Sequence, residues 1–135
     1  MEMEGAADAQ KFPPCFPPRC PLDGSEPADG VVFRCTQSNP PQAADFLTYH
    51  EDGCPLREPV TASTLCKSHG ISVFRVLEHA IHRMNLFPGM PHFIARGILT
   101  AAHGVTKQTG KPSHTTWWAY DGVVRHEGFV TVETR

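Results

Sequence analysis

Val31-Val32-Phe33-Arg34-Cys35-Thr36 is the stretch on which the fold turns. Its side chains alternate, with Val31, Phe33 and Cys35 on one face and Val32, Arg34 and Thr36 on the other, which is the period of a β-strand. The second face mixes apolar and polar groups, so one side of this strand is expected to stay partly open. Ser38-Asn39-Pro40-Pro41 ends it, because each residue before a proline is pushed to extended geometry and Asn and Ser favour turns.

Downstream, residues 42–49 read as a short helical turn that exposes Asp45 and buries Phe46 and Leu47. Residues 51–63 read as a loop broken by Gly53, Pro55 and Pro59, and a loop of that length in a compact domain is usually functional or disordered. A helix is predicted over 72–85. Ser72 would cap it, Val73, Leu77, Ala80, Ile81 and Met84 would form its buried stripe, and Pro88, Gly89 and Pro91 would stop it. Each large aliphatic fully buried on that stripe contributes ~1.5–3 kcal/mol. His92 to Leu99 then reads as a strand, Ala101 to Pro112 as a Gly-rich connection, Thr115 to Tyr120 as a strand, and Val123 to Val132 as a hairpin turning at Glu127-Gly128. The sum is an α+β domain with a small, mostly antiparallel or split sheet and one principal helix.

Residues 1–29 contain six prolines and no apolar periodicity. They are expected to form an extended or disordered tail, dispensable for folding, ahead of a single domain over 30–135. A chain of 135 residues with net charge -2 lacks the basic field that a dedicated nucleic-acid binder needs. No apolar run approaches the ~20 residues of a bilayer span, and the first residues lack the basic and apolar regions of a secretion signal. A cytoplasmic protein without a membrane partner is the expectation. Five cysteines, an odd number, then fit reduced thiols better than a disulfide framework.

Four constellations could carry chemistry. Cys15-x4-Cys20 and Cys66-x2-His69 offer two close pairs of ligands to a tetrahedral zinc, against the preferred reading of Cys35 and Cys66 as core residues and Cys15 and Cys20 as tail thiols. His79 and His82, with Glu78, lack the His-Glu-x-x-His order and read as a solvated helix face. A Cys–His nucleophile is open to any of eight histidines, and the order of the sequence selects none. The fourth set is Arg34, Thr36, Ser72, His114, Thr116 and Trp117. A guanidinium can hold a phosphate, hydroxyls a ribose and an aromatic plane a heterocycle, which together describe a nucleotide-like ligand.

The succession of Arg34-x-Thr36, Gly70-Ile71-Ser72-Val73-Phe74 before Glu78-His79-Ala80, and Phe93-Ile94-Ala95-x-Gly97-Ile98-Leu99 resembles the split-sheet core of ADP-ribosyltransferase-like proteins. It is closer still to small uncharacterised bacterial proteins that carry Arg-Cys-x-x-Ser-Asn-Pro-Pro, here from Arg34 to Pro41, and His-x-Thr-x-Trp, here from His114 to Trp118. The resemblance spans residues 31–132 and implies NAD as cofactor or ligand, with Arg34 contacting it and Ser72 shaping the nicotinamide pocket. That family drives transfer with a late Glu. The matching segment, His114 to Tyr120, has no carboxylate, and Glu127 and Glu133 fall in a turn and at the terminus. Weak or absent transfer is therefore expected. The alternatives are a non-enzymatic interaction factor, such as a toxin antagonist or phage-host accessory protein making contacts through Trp117, Trp118 and the proline-rich tail, and a zinc-stabilised binding module.

Overall fold

A computed structural model describes residues 10–135. Strand β2, Gly30–Thr36, realises the alternation of the opening stretch and pairs over its whole length with β4, Phe93–Leu99, from Gly30 opposite Leu99 to Thr36 opposite Phe93. Around this pair the chain places β1 (Glu26–Pro27), β3 (Ile71–Phe74), β5 (Gly104–Gln108), β6 (His114–Ala119) and β7 (Val130–Thr134). The order across the sheet is β1-β5-β6-β3-β2-β4-β7, and every neighbouring pair is antiparallel. Two helices, α1 (Ala62–Lys67) and α2 (Leu77–Asn85), complete an α+β fold in which α2 is the principal helix.

The sheet parts at its centre. Between β2 and β3 only Phe33 and Phe74 are paired, whereas β3 and β6 pair from Ile71 opposite Trp117 to Phe74 opposite His114. A single bridge lets the two halves splay, which leaves backbone groups and side chains at the parting free for other partners.

Alternation assigns the two faces to two cores. One holds Val32, Phe46, Ile71, Val73, Ala95, Leu99, Trp117 and Phe129. The other is the face on which α2 lies, where Ala80 and Met84 meet Phe74 and Ile94, flanked by Phe33, Cys35, Leu77 and Ile81. Phe129 packs so closely on β4 that a Cβ at Gly97 would sit 2.6 Å from its ring, so the absence of a side chain there is what admits it. Gly104 opens β5 at φ +131, where a Cβ would lie 2.1 Å from the Trp118 carbonyl oxygen.

Several elements differ from the sequence expectation. Gly70-Ile71-Ser72-Val73-Phe74 does not open a helix: Ser72 lies inside β3 opposite Thr116, and α2 starts at Leu77. The β-branched and aromatic residues of this run gain a partner strand, which outweighs the helical spacing of Val73. The Gly-rich connection after Leu99 contains β5, with Gly104 and Thr106 turned inward. No hairpin forms over 123–132; β7 pairs with β4, and the preceding residues fold across one face of the sheet through Phe129. Leu47 is 41% exposed, although Phe46 in the adjoining 3-10 turn Ala43–Phe46 is buried as expected. The helix α1 lies partly in the segment read as loop, and its start is set locally by Thr61, whose side chain accepts the Thr64 N–H at 3.0 Å.

The largest difference concerns the segment before Gly30, whose first nine residues lie outside the described ones. Residues 10–25 contain no helix or strand, as proline predicts, yet they are packed. Phe12 stacks on Phe16 and meets Tyr120, Asp121 N–H donates to the Lys11 carbonyl at 2.7 Å, Glu26 pairs with Thr106, and Ala28 is 2% exposed. Cys20 is joined to Cys66, which corrects the expectation of reduced thiols throughout; Cys15, Cys35 and Cys54 are free. No helix among the described residues is long and apolar enough to cross a membrane.

Candidate functional site

Arg34 sits on β2 at the parting of the sheet, and its guanidinium bridges the gap. Nε donates to the Asp45 carbonyl at 2.8 Å, Nη1 donates to the Ser72 carbonyl at 2.7 Å, and the carbon centre lies 5.3 Å from the Phe46 ring centroid. The Ser72 carbonyl is one of the groups released where β3 fails to pair with β2. Burial pulls the Arg34 pKa down to about 10, opposed by nearby Cys35 and Asp45, so the group remains a cation at neutral pH. Asp45 is itself fixed, accepting the Gln37 and Gln42 N–H groups at 2.9 Å each.

Beside this bridge lies a cleft of about 540 Å³, with Arg34, Asp45, Tyr49, Asp52, Ser72 and Arg83 among its walls. Ser72 Oγ is 2.9 Å from His114 Nε2, and His114 Nδ1 is 3.1 Å from Thr109 Oγ1, which lies 2.7 Å from Thr116 Oγ1. The tight return over 109–114, in which Thr109 and Gly110 N–H both donate to the His114 carbonyl, holds the imidazole at the head of β6. Burial pushes the His114 pKa below the usual histidine range, helped by the positive charges of Arg83 and Lys67. A neutral ring has one donor and one acceptor nitrogen, so it carries one proton between the Ser72 and Thr109 hydroxyls. Such a ring can accept the Ser72 proton when a ligand approaches.

A pH dependence follows from the lowered His114 pKa. The folded state holds the ring neutral while the unfolded chain protonates near about pH 6.5, so this stabilisation is complete above that value and is lost as pH falls through the folded-state pKa. Thermal unfolding measured from about pH 7 to about pH 5 is expected to show a falling Tm, with a shallower fall in His114→Gln. An equal slope in the variant would contradict it.

The structure thus brings together Arg34, Ser72 and His114, and places the other expected ligand residues elsewhere. Trp117 is fully buried, its Nε1 donating to the His103 carbonyl at 3.0 Å, so it has no free face on which a base could stack. Trp118 is likewise buried, with Nε1 donating to the Cys66 carbonyl at 2.9 Å. Thr36, 1% exposed, donates to the Ser38 carbonyl at 3.2 Å and closes the turn after β2. Thr116 is buried behind Thr109 and supports His114 indirectly. The exposed aromatic of the cleft is instead Tyr49, 60% exposed beside the buried Phe74, and its second cation is Arg83 of α2. Among the residues of the helix face read as solvated, His79 is bound to Ser113 Oγ at 2.8 Å and His82 is exposed.

The chain matches no family model, no curated protein and no solved structure. The reading of this site therefore rests on its geometry.

Proposed function

We propose that the cleft at the β2–β3 parting binds a nucleotide-like ligand of the NAD type, in the manner of an ADP-ribosyltransferase-like domain with little or no transfer activity. The observation that carries this reading is the fixed guanidinium of Arg34. Two of its nitrogens are spent on backbone carbonyls, and among the described residues Nη2 has no hydrogen-bond partner. A cation held this rigidly loses little entropy on binding an anion. Arg83 adds a second positive charge, Tyr49 an exposed ring and Ser72 a hydroxyl, which answer to the phosphate, base and ribose of a nucleotide.

The acidic residues at the cleft are Asp45 and Asp52, and Asp45 is committed to the backbone of the 3-10 turn. Without a glutamate beside the bound ribose, the site lacks an interaction that strengthens as oxocarbenium character develops. Binding with slow or absent turnover is the consequence. The competing reading, a non-enzymatic interaction factor, drew on surface contacts by Trp117, Trp118 and the proline-rich segment; both indoles lie inside the domain, and the described part of that segment packs against it through Phe12, Cys20 and Ala28.

Calorimetric titration with NAD and ADP-ribose tests this reading. Arg34→Lys is expected to weaken binding about 10–100-fold, the value of a lost charged hydrogen bond, because a compact ammonium cannot reproduce the planar fork that spans the two carbonyls and presents a further donor to a ligand. Unchanged affinity in a folded Arg34→Lys protein would contradict it.

A further inference from the structure

Away from the Arg34 bridge, three segments distant in sequence converge on a small set of metal-ligating groups. Cys15 comes from the proline-rich segment, His50 from the turn at Tyr49, and His69 from the turn between α1 and β3. Their ligand atoms all lie within 4.8 Å of one another, with Cys15 Sγ 3.8 Å from His69 Nδ1 and the two imidazoles stacked at 4.1 Å between centroids. We propose that Cys15, His50 and His69 form a binding site for a borderline divalent metal ion of the zinc class.

The chemistry of the donors favours this class. A thiolate and two imidazoles are the ligand types zinc prefers, at about 2.3 Å for sulfur and about 2.0–2.1 Å for nitrogen, so tetrahedral donors stand ~3.3–3.7 Å apart. The Cys15–His69 separation of 3.8 Å is already close to that spacing. The surroundings hold the donors in place. His50 N–H donates to the Ser68 carbonyl at 3.0 Å, His69 N–H donates to the Cys66 carbonyl at 3.0 Å, and Phe16 lies edge-on to the His69 ring at 5.3 Å. This is the backbone and apolar support that fixes a ligand's orientation.

The site differs from the set that sequence spacing offered as an alternative. Cys15 and His69 belong to both, but Cys20 and Cys66 are consumed by their own bond and His50 takes their place. Three protein donors leave a tetrahedral ion one position for water or an added ligand. The ion would tie the proline-rich segment to the turn carrying Tyr49 and to the chain entering Gly70, both of which line the cleft. The inference does not depend on the nucleotide reading, since its ligands are not the cleft's anion-binding groups.

Cobalt(II) and zinc(II) titrations of the full chain, with the Cys20–Cys66 bond intact, test the site. One equivalent of cobalt is expected to produce tetrahedral visible bands and a sulfur-to-cobalt charge-transfer band, both erased by zinc. Cys15→Ser should abolish the charge-transfer band, and His50→Ala should weaken binding beyond the ~10–100-fold lost with a mere outer-shell partner. Cys15 and His50 are both exposed, so neither substitution removes a core side chain; His69→Ala is the buried counterpart. Cys54→Ser should bind as the parent does. The absence of stoichiometric binding, or binding that survives Cys15→Ser and His50→Ala, would overturn the proposal. So would binding that appears only after the disulfide is reduced and vanishes in Cys66→Ser, which would restore the set Cys15, Cys20, Cys66 and His69.

Discussion

Removing residues 1–29 is expected to cost the domain most of its stability. The deletion severs the Cys20–Cys66 bond, which spans 46 positions and on the loop-entropy scale stabilises by about 4 kcal/mol. It also strips β1 from β5, uncovers the site of Ala28 and removes the Asp29 carbonyl that accepts Arg75 Nη1 at 2.6 Å. Against a total of ~5–15 kcal/mol for a typical domain, such losses leave little margin. Denaturant unfolding of the truncated chain should show a broad, early transition or none. Cys20→Ser in the full chain should show a smaller loss, separating the cross-link from the packing. A truncated protein that unfolds at the parental midpoint would show the segment to be a dispensable tail.

Trp117→Ala is expected to destabilise by about 3–5 kcal/mol, the usual penalty for emptying a large aromatic site. The indole is fully buried, stacks against Phe129 with centroids 6.3 Å apart and donates to His103. Loss of the ring leaves a cavity, while the His103 carbonyl keeps the Tyr120 N–H at 3.3 Å. Trp117→Phe should retain most of the packing and lose only the N–H. Because the ring does not reach the cleft, folded Trp117→Phe should bind NAD as the parent does. Denaturation curves and ligand titrations on the two variants check both parts, and a stable Trp117→Ala protein that has lost ligand would reverse the assignment.

The strand β2 was legible because its alternation separates period two from period 3.6, β4 and β6 because β-branched and aromatic residues gather in them, and α2 because Leu77, Ala80, Ile81 and Met84 keep a clean stripe. β3 has four residues, Ile71–Phe74, too few for periodicity to arbitrate, and its strand character comes from pairing with β6. β5 begins at a glycine, which reads as a break although here it permits close approach to Trp118. Proline in residues 10–25 announced the lack of regular structure correctly, but composition does not reveal that Cys20 finds Cys66 or that Glu26–Pro27 joins the sheet as β1.

At the site, Arg34, Ser72 and His114 were recognisable as polar groups on strand-like or cap-like positions. Their meeting depends on the sheet parting, which lets Arg34 reach the Ser72 carbonyl. Trp117 misled because an aromatic beside threonines looks exposed, whereas burial on both faces of β6 is decided by the layers covering it. Tyr49 and Arg83 carry no local signal. One lies on an irregular turn and the other on the polar side of a helix, and only the tertiary fold turns them to a common cleft.

The central claim is that the parting of the sheet is a ligand site, and nitrogen–proton correlation spectra recorded during titration with NAD test it most directly. The account predicts saturable shifts at the backbone amides of Tyr49 and Ser72 and at Arg34 Nε–H, with the buried indole N–H signals of Trp117 and Trp118 unmoved. Spectra that do not change at saturating NAD, or changes that leave Arg34, Tyr49 and Ser72 untouched, would contradict it.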